Sequence, residues 1–167
     1  MTETTTTGTF TPKDATPRPG SCGIPVPGSH IRILQLDGGE TEMPVGEKGE
    51  VCIKGPNITA GYWRRPDATA EAMTSEGFLR TGDIGYMDAD GFVYIVDRTK
   101  DMILCRGYNV YPRTIEEAIY EFPGVEEVSV IGVTDAYRGQ APKAFIKLKT
   151  GAEAFSFETL QAFLASR

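Results

Sequence analysis

Residues 94–112 read Y-I-V-D-R-T-K-D-M-I-L-C-R-G-Y-N-V-Y-P, and the fold turns on them. The stretch opens as a β-branched, aromatic run and breaks into a charged cluster of Asp97, Arg98, Lys100 and Asp101. It resumes with Met102, Ile103 and Leu104 and arrives at Arg106-Gly107-Tyr108-Asn109. Strand, charges, strand and an Arg-Gly turn describe a connector between two pieces of structure. A surface loop could carry the same charges for solubility alone, so the flanks decide.

Upstream, residues 1–28 are rich in Thr, Pro and Gly and are expected to form a flexible leader. Residues 29–97 alternate short apolar runs with Gly-containing turns. Examples are H-I-R-I-L-Q-L from His30, V-C-I-K from Val51, and F-V-Y-I-V from Phe92. Asp67 is placed to cap a short helix over residues 67–73, and Thr81-Gly82-Asp83 is expected as a tight turn between two strands. This block predicts a small all-β subdomain, a distorted barrel or a sandwich. Residues 98–101 then form a hinge.

Downstream the periodicity changes. Residues 102–104 and 109–111 suit a hairpin around Arg106-Gly107, and Pro112 starts an amphipathic helix with Ile115, Ala118, Ile119 and Phe122 on one face. Pro123-Gly124 stops it. Apolar strands over 125–133 and 144–148 follow, and Ser156 caps a last helix carrying Phe157, Leu160, Phe163 and Leu164. Residues 102–167 thus predict a small α+β domain. Its last helix is still periodic at Arg167, so the domain is expected to be truncated.

The net charge of −6, from 17 Lys and Arg against 23 Asp and Glu, argues against nucleic acid as a partner. Three widely spaced cysteines, Cys22, Cys52 and Cys105, and a single histidine, His30, give neither a disulfide framework nor a metal cluster. No apolar run reaches the ~18 residues of a membrane span, and no signal peptide opens the chain. A cytoplasmic protein with reduced thiols is expected, with peripheral contact to a membrane left open.

No nucleophile–base pair and no Walker or dinucleotide loop is visible. What remains is polar residues at strand ends: Thr81-Gly82-Asp83, and Asp97-Arg98 with Lys100. A carboxylate such as Asp83 can accept from the vicinal hydroxyls of a ribose, and Arg98 could donate to that sugar or to a phosphate. Equally, Asp83 could cap a turn while Arg98 pairs with Asp97 or Asp101.

G-E-V-C-I-K-G-P-N-I-T-A-G-Y-W from Gly49, G-F-L-R-T-G-D-I-G from Gly77 and V-D-R-T-K-D-M-I-L-C-R-G-Y-N-V-Y-P-R-T-I-E from Val96 resemble three consecutive motifs of the AMP-forming acyl-CoA synthetases. That family belongs to the adenylate-forming superfamily, and K-D-M-I with G-Y-N-V-Y-P is most similar to medium- and long-chain fatty acyl-CoA ligases. The resemblance implies that ATP and Mg²⁺ activate a fatty acid or other carboxylate as its acyl-adenylate, which is then passed to coenzyme A. It implies that Asp83 and Arg98 bind the ribose, that Lys100 is the pivot of the C-terminal domain, and that Gly107 lines the pantetheine tunnel, with Arg106 beside it to help place coenzyme A. M-T-E-T at the start resembles the end of a Tyr-Gly-x-Thr-Glu motif, which makes Thr2 a phosphate contact and Glu3 a Mg²⁺ ligand. The resemblance also implies a large N-terminal domain as the missing partner. The family's catalytic lysine would lie beyond Arg167, so no catalytic residue is expected in this chain, and the chain alone is expected to be inactive. A non-catalytic module derived from the family, or an adenylation domain serving a carrier protein, are the alternatives.

Overall fold

The structure, a computed structural model, describes residues 1–5 and 7–165. It divides into two compact units, Met1–Thr99 and Lys100–Arg167. In the first unit a single 3-10 turn, Thr2–Thr4, precedes β1 (Thr9–Phe10), β2 (Ser21–Pro25), β3 (His30–Leu34) and β4 (Gly49–Lys54). Helix α1 (Pro66–Ala72), β5 (Leu79–Met87) and β6 (Val93–Arg98) complete it. The strands form one antiparallel sheet in the order β1-β2-β6-β5-β4-β3. Thr9 on one edge strand and Ile31 on the other line the same cavity, so the sheet is curled into a half-barrel.

The alternation of β-branched residues explains the core. Ile31 faces Ile53 and Ile33 faces Val51 across β3 and β4, and Leu79 and Val93 join them on the same face. The opposite face is covered locally by Phe78, which packs with Leu34 and Cys52. Arg32 and Lys54 lie over its ring at 4.8 and 5.7 Å.

Three expectations need correction here. Residues 1–28 are not a free leader: β2 pairs with β6, with Ser21 opposite Tyr94, and β1 pairs with β2. Arg18 clamps the segment by bonding both Asp88 and Asp90 while its guanidinium lies 4.2 Å over the Phe92 ring. β-branched threonines suit such edge pairing as well as they suit a loop. Secondly, Asp67 does not cap α1; Arg65 occupies that place without a side-chain bond, Pro66 starts the helix and Asp67 sits in its first turn. Thirdly, Thr81-Gly82-Asp83 is no turn between strands, because β5 runs through it as a bulge.

The second unit contains β7 (Ile103–Cys105), β8 (Tyr108–Val110), α2 (Pro112–Tyr120), β9 (Val125–Asp135), β10 (Gly139–Leu148) and α3 (Phe157–Leu164). Its antiparallel sheet has the order β8-β7-β10-β9. Both helices cover one face, where Ile103, Ile119, Val125, Val130 and Leu160 are buried. Phe122 ties α2 to α3 through edge and tilted contacts with Phe163 and Phe155 at 5.1 and 4.5 Å. Glu116 on α2 accepts the Val130 N–H of the edge strand β9 at 2.7 Å, which satisfies a donor that the sheet leaves open. Ser156 caps α3 by accepting the Thr159 N–H. The chain is therefore a small all-β subdomain followed by a small α+β domain. Helix α3 ends with Ala165 at its C-cap; Arg167, to which the truncation was tied, lies outside the described residues.

Candidate functional site

Asp83 and Arg98 are brought together by the register of β5 and β6, which sets them directly opposite one another. Arg98 Nε donates to Asp83 Oδ1 at 3.3 Å, with the Arg98 side chain 57% and the Asp83 side chain 30% exposed. Asp97 is buried and accepts the Arg98 backbone N–H at 2.8 Å. An Arg–carboxylate pair in the open half of a sheet still has free lone pairs and N–H groups, as a diol-binding site requires.

Asp83 and Thr81 line a cavity of about 170 Å³ together with the apolar side chains of Ile31, Val51, Ile53, Val93 and Ile95. Met1 and Thr4 of the N-terminal turn line the same cavity. Thr2 and Glu3 are not among its lining residues. Glu3 is held instead by the loop after β4: the Thr59 N–H donates to its carbonyl at 2.8 Å and the Tyr62 hydroxyl donates to its carboxylate at 3.1 Å. That carboxylate pushes the Tyr62 phenol pKa up. Asn57 adds bonds from its amide to the carbonyls of Thr4 and Thr7. No group of three or more His, Cys, Asp or Glu that could hold a metal occurs among the described residues. Mg²⁺ bound to nucleotide phosphates is commonly held by one or two carboxylates and water, so a lone Glu3 fits such a role.

In the second unit, β7 and β8 are joined by Arg106 and Gly107, with Cys105 opposite Tyr108. Both central residues have positive φ, 53° and 81°, as a two-residue type I′ hairpin requires. Nothing lies within 4 Å of a Cβ built on Gly107, so its own chain does not crowd it; the backbone angle is what calls for glycine. The Arg106 N–H donates to the Arg138 carbonyl at 2.9 Å and its guanidinium lies 4.7 Å over the Tyr137 ring. Beside it, the N–H groups of Arg138 and Tyr137, with the charges of Arg138 and Arg106, hold the Asp135 carboxyl below its usual range. Lys100 is exposed and opens the second unit.

Family models match at both ends of the chain: AMP-binding enzyme over residues 1–63 and AMP-binding enzyme C-terminal domain over residues 114–167. The chain belongs to the AMP-binding enzymes, the adenylate-forming family. Among relatives of this family, the long-chain-fatty-acid–CoA ligase of Bacillus subtilis is 49% identical over 150 residues, 90% of this chain and 26% of its own length. The 2-succinylbenzoate–CoA ligase of Geobacillus kaustophilus is 45% identical over 153 residues, covering 91% of this chain and 30% of its own. The crystal structure of ATP-bound MatB from Rhodopseudomonas palustris matches with a TM-score of 0.92 and 37% identity, over all of this chain and 33% of that one. The chain thus spans about a quarter to a third of the length of the AMP-binding enzymes it matches.

Two residues of the site were missed in the sequence: Glu50, which accepts the Gly82 N–H, and Tyr62, which reaches Glu3. Thr81, singled out with Gly82 and Asp83, accepts the Asp83 N–H. T-G-D signalled a special backbone, but its neighbours across the sheet carry no local signal.

Proposed function

We propose that this chain supplies the ribose-binding sheet, the connector and the C-terminal domain of an AMP-forming acyl-CoA ligase. The observation that carries the reading is the Asp83–Arg98 pair, set across two strands beside the cavity that Met1 and Thr4 also line. A carboxylate is a poor electrophile. Attack of its oxygen on the α-phosphorus of ATP releases pyrophosphate and leaves a mixed anhydride. The coenzyme A thiol then attacks the acyl carbon, AMP departs and a thioester remains.

Asp83 accepts from the ribose hydroxyls and Arg98 donates to the same sugar. Thr2 contacts phosphate and Glu3 holds Mg²⁺, which supplies charge neutralisation between the phosphates. Lys100 is the pivot between the two half-reactions, and Gly107 with Arg106 borders the path of the coenzyme A thiol. The acid is a fatty acid, a reading supported by the 49% identical long-chain ligase. Coenzyme A is favoured over a carrier protein because both curated relatives are named CoA ligases. A cytoplasmic enzyme, with peripheral contact to a membrane left open, is supported by the free thiols of Cys22, Cys52 and Cys105. Among the described residues no helix is long and apolar enough to cross a membrane.

The chain alone is inactive, because the lysine that stabilises the developing charge is not in it and neither Lys147 nor Lys149 replaces it. Lys147 is held by Glu126 and Glu127 at 3.1 and 2.8 Å, on a strand. Incubating the chain with ATP, Mg²⁺, palmitate and coenzyme A should give neither pyrophosphate nor acyl-CoA. In a complete ligase carrying this segment, Asp83→Asn should slow adenylation. Turnover by the chain alone would overturn its inactivity, and unaltered adenylation in the variant would overturn the ribose role.

A further inference from the structure

Behind the Asp83–Arg98 pair lies a second ion pair that the reaction above leaves without a task. Glu50 on β4 meets Arg80 on β5 at 2.8 Å, with side chains only 13% and 15% exposed. Two charges this enclosed lose much of their hydration, and an apolar pair would serve stability as well. The geometry gives them another use. Glu50 divides its oxygens: Oε2 accepts from Arg80, and Oε1 accepts the Gly82 N–H at 3.2 Å. Arg80 is itself anchored on the carbonyls of Gly38 and Gly39 at 2.7 and 3.1 Å.

Gly82, at φ 71°, is the residue next to Asp83. On β5, Thr81, Gly82 and Asp83 stand opposite Val51 alone, because Glu50 pairs with Ile84 and Cys52 with Arg80. Although β6 still pairs Asp83 with Arg98, on the β4 side the regular ladder therefore cannot fix this bulge. Four other bonds do. Glu50 takes the Gly82 N–H, and the Thr99 N–H donates to the Gly82 carbonyl at 2.8 Å. The Thr81 hydroxyl donates to the Val51 carbonyl at 2.7 Å and accepts the Asp83 N–H at 3.1 Å.

We infer that Glu50, steadied by Arg80, is a positioning residue that fixes the Gly82 peptide and so aims the Asp83 carboxylate at the ribose. The inference rests on the reading of Asp83 as the ribose acceptor. Replacing the pair by Glu50→Leu with Arg80→Leu removes both charges without leaving one unpaired, but orphans the Gly82 N–H. Glu50→Gln with Arg80→Leu restores an acceptor oxygen there. Glu50→Asp alone keeps a carboxylate for Arg80 but falls one methylene short of Gly82.

The test is titration of the full chain with adenosine 5′-monophosphate, read by backbone amide NMR shifts, with thermal unfolding as the check on folding. The Leu–Leu chain and Glu50→Asp should bind roughly tenfold more weakly, the loss expected for one misdirected charged hydrogen bond. The Gln–Leu chain should stay within about threefold of wild type. A mere loss of stability would instead spare Glu50→Asp, which retains the ion pair, over the Gln–Leu chain, which does not. If Asp83→Asn weakens binding while the Leu–Leu chain and Glu50→Asp bind as wild type, or if Gln–Leu is no better than Leu–Leu, Glu50 does not position Asp83. If wild type fails to bind, or Asp83→Asn binds equally well, the ribose reading falls and this inference with it.

Discussion

Gly107→Ala separates what the hairpin needs for folding from what it does in catalysis. The substitution adds a Cβ that meets nothing within 4 Å, so no clash enters the account. The cost is the left-handed backbone, with φ of 81° at this position, for which an L side chain pays about 1–2 kcal/mol. Stiffening of the unfolded chain returns about 0.4–1 kcal/mol, leaving a net loss of about 1 kcal/mol. In a domain of this size that lowers the melting temperature by about 4–8 °C. The sole tryptophan, Trp63, belongs to the first unit. Its fluorescence should therefore melt unchanged, while hydrogen exchange at β7, β10 and α2 quickens. Arg106→Gly is the control: it relieves the same kind of strain at φ 53° but forfeits a Tyr137 contact worth about 0.5–1 kcal/mol, so it should come out near neutral. In a complete ligase carrying this segment, Gly107→Ala should slow thioester formation more than tenfold while adenylation holds within about threefold. Unchanged exchange in the second unit would refute the strain calculation. Equal slowing of both half-reactions would refute the role beside coenzyme A.

Ile103, 1% exposed at the centre of the second core, should cost about 2–5 kcal/mol as Ile103→Ala, measured by urea unfolding. Burial, reinforced by the charge of Glu50, pushes the Cys52 thiol up to about 12. At pH 8 iodoacetamide should therefore label the exposed Cys22 and leave Cys52 until the chain unfolds; prompt native labelling at Cys52, read by peptide mass, would contradict its burial. The Asp88 carboxyl is lowered although burial opposes it, because the Phe92 N–H, Arg18 and the Asp90 N–H outweigh that burial. A carboxyl depressed in the folded state stabilises above its unfolded value of about 4 and loses that contribution as pH falls through the folded value. Asp88→Asn should accordingly flatten the acid limb of stability below about pH 4, and an unchanged limb would refute the clamp.

Much of the second unit was legible because its signals are local. Ile115, Ile119 and Phe122 repeat at helical spacing, Ser156 and Thr159 are a cap and its donor, and Arg106-Gly107 has room for only a two-residue turn. The N-terminal segment was misread for the opposite reason. Its threonines and prolines fit a leader as well as an edge strand, and the partner of Ser21 is Tyr94, far along the chain. Local composition holds no trace of that pairing.

The site was half legible on the same terms. Asp83 and Arg98 lie 15 residues apart, and T-G-D announced a left-handed glycine. A turn and a bulge both use such a glycine; what distinguishes them is whether neighbouring strands continue past it. Here β4 and β6 do, on either side, so the two peptides flanking Gly82 are each bonded, Thr81–Gly82 by Glu50 and Gly82–Asp83 by Thr99. A turn at the end of a hairpin would have left Asp83 on a mobile tip. Set inside the sheet, its carboxylate inherits the rigidity of two strands, and the last residue of the first unit, Thr99, becomes part of what holds it. A shift at Thr99, next to the proposed pivot Lys100, would therefore be felt first at the Gly82 carbonyl and then at Asp83.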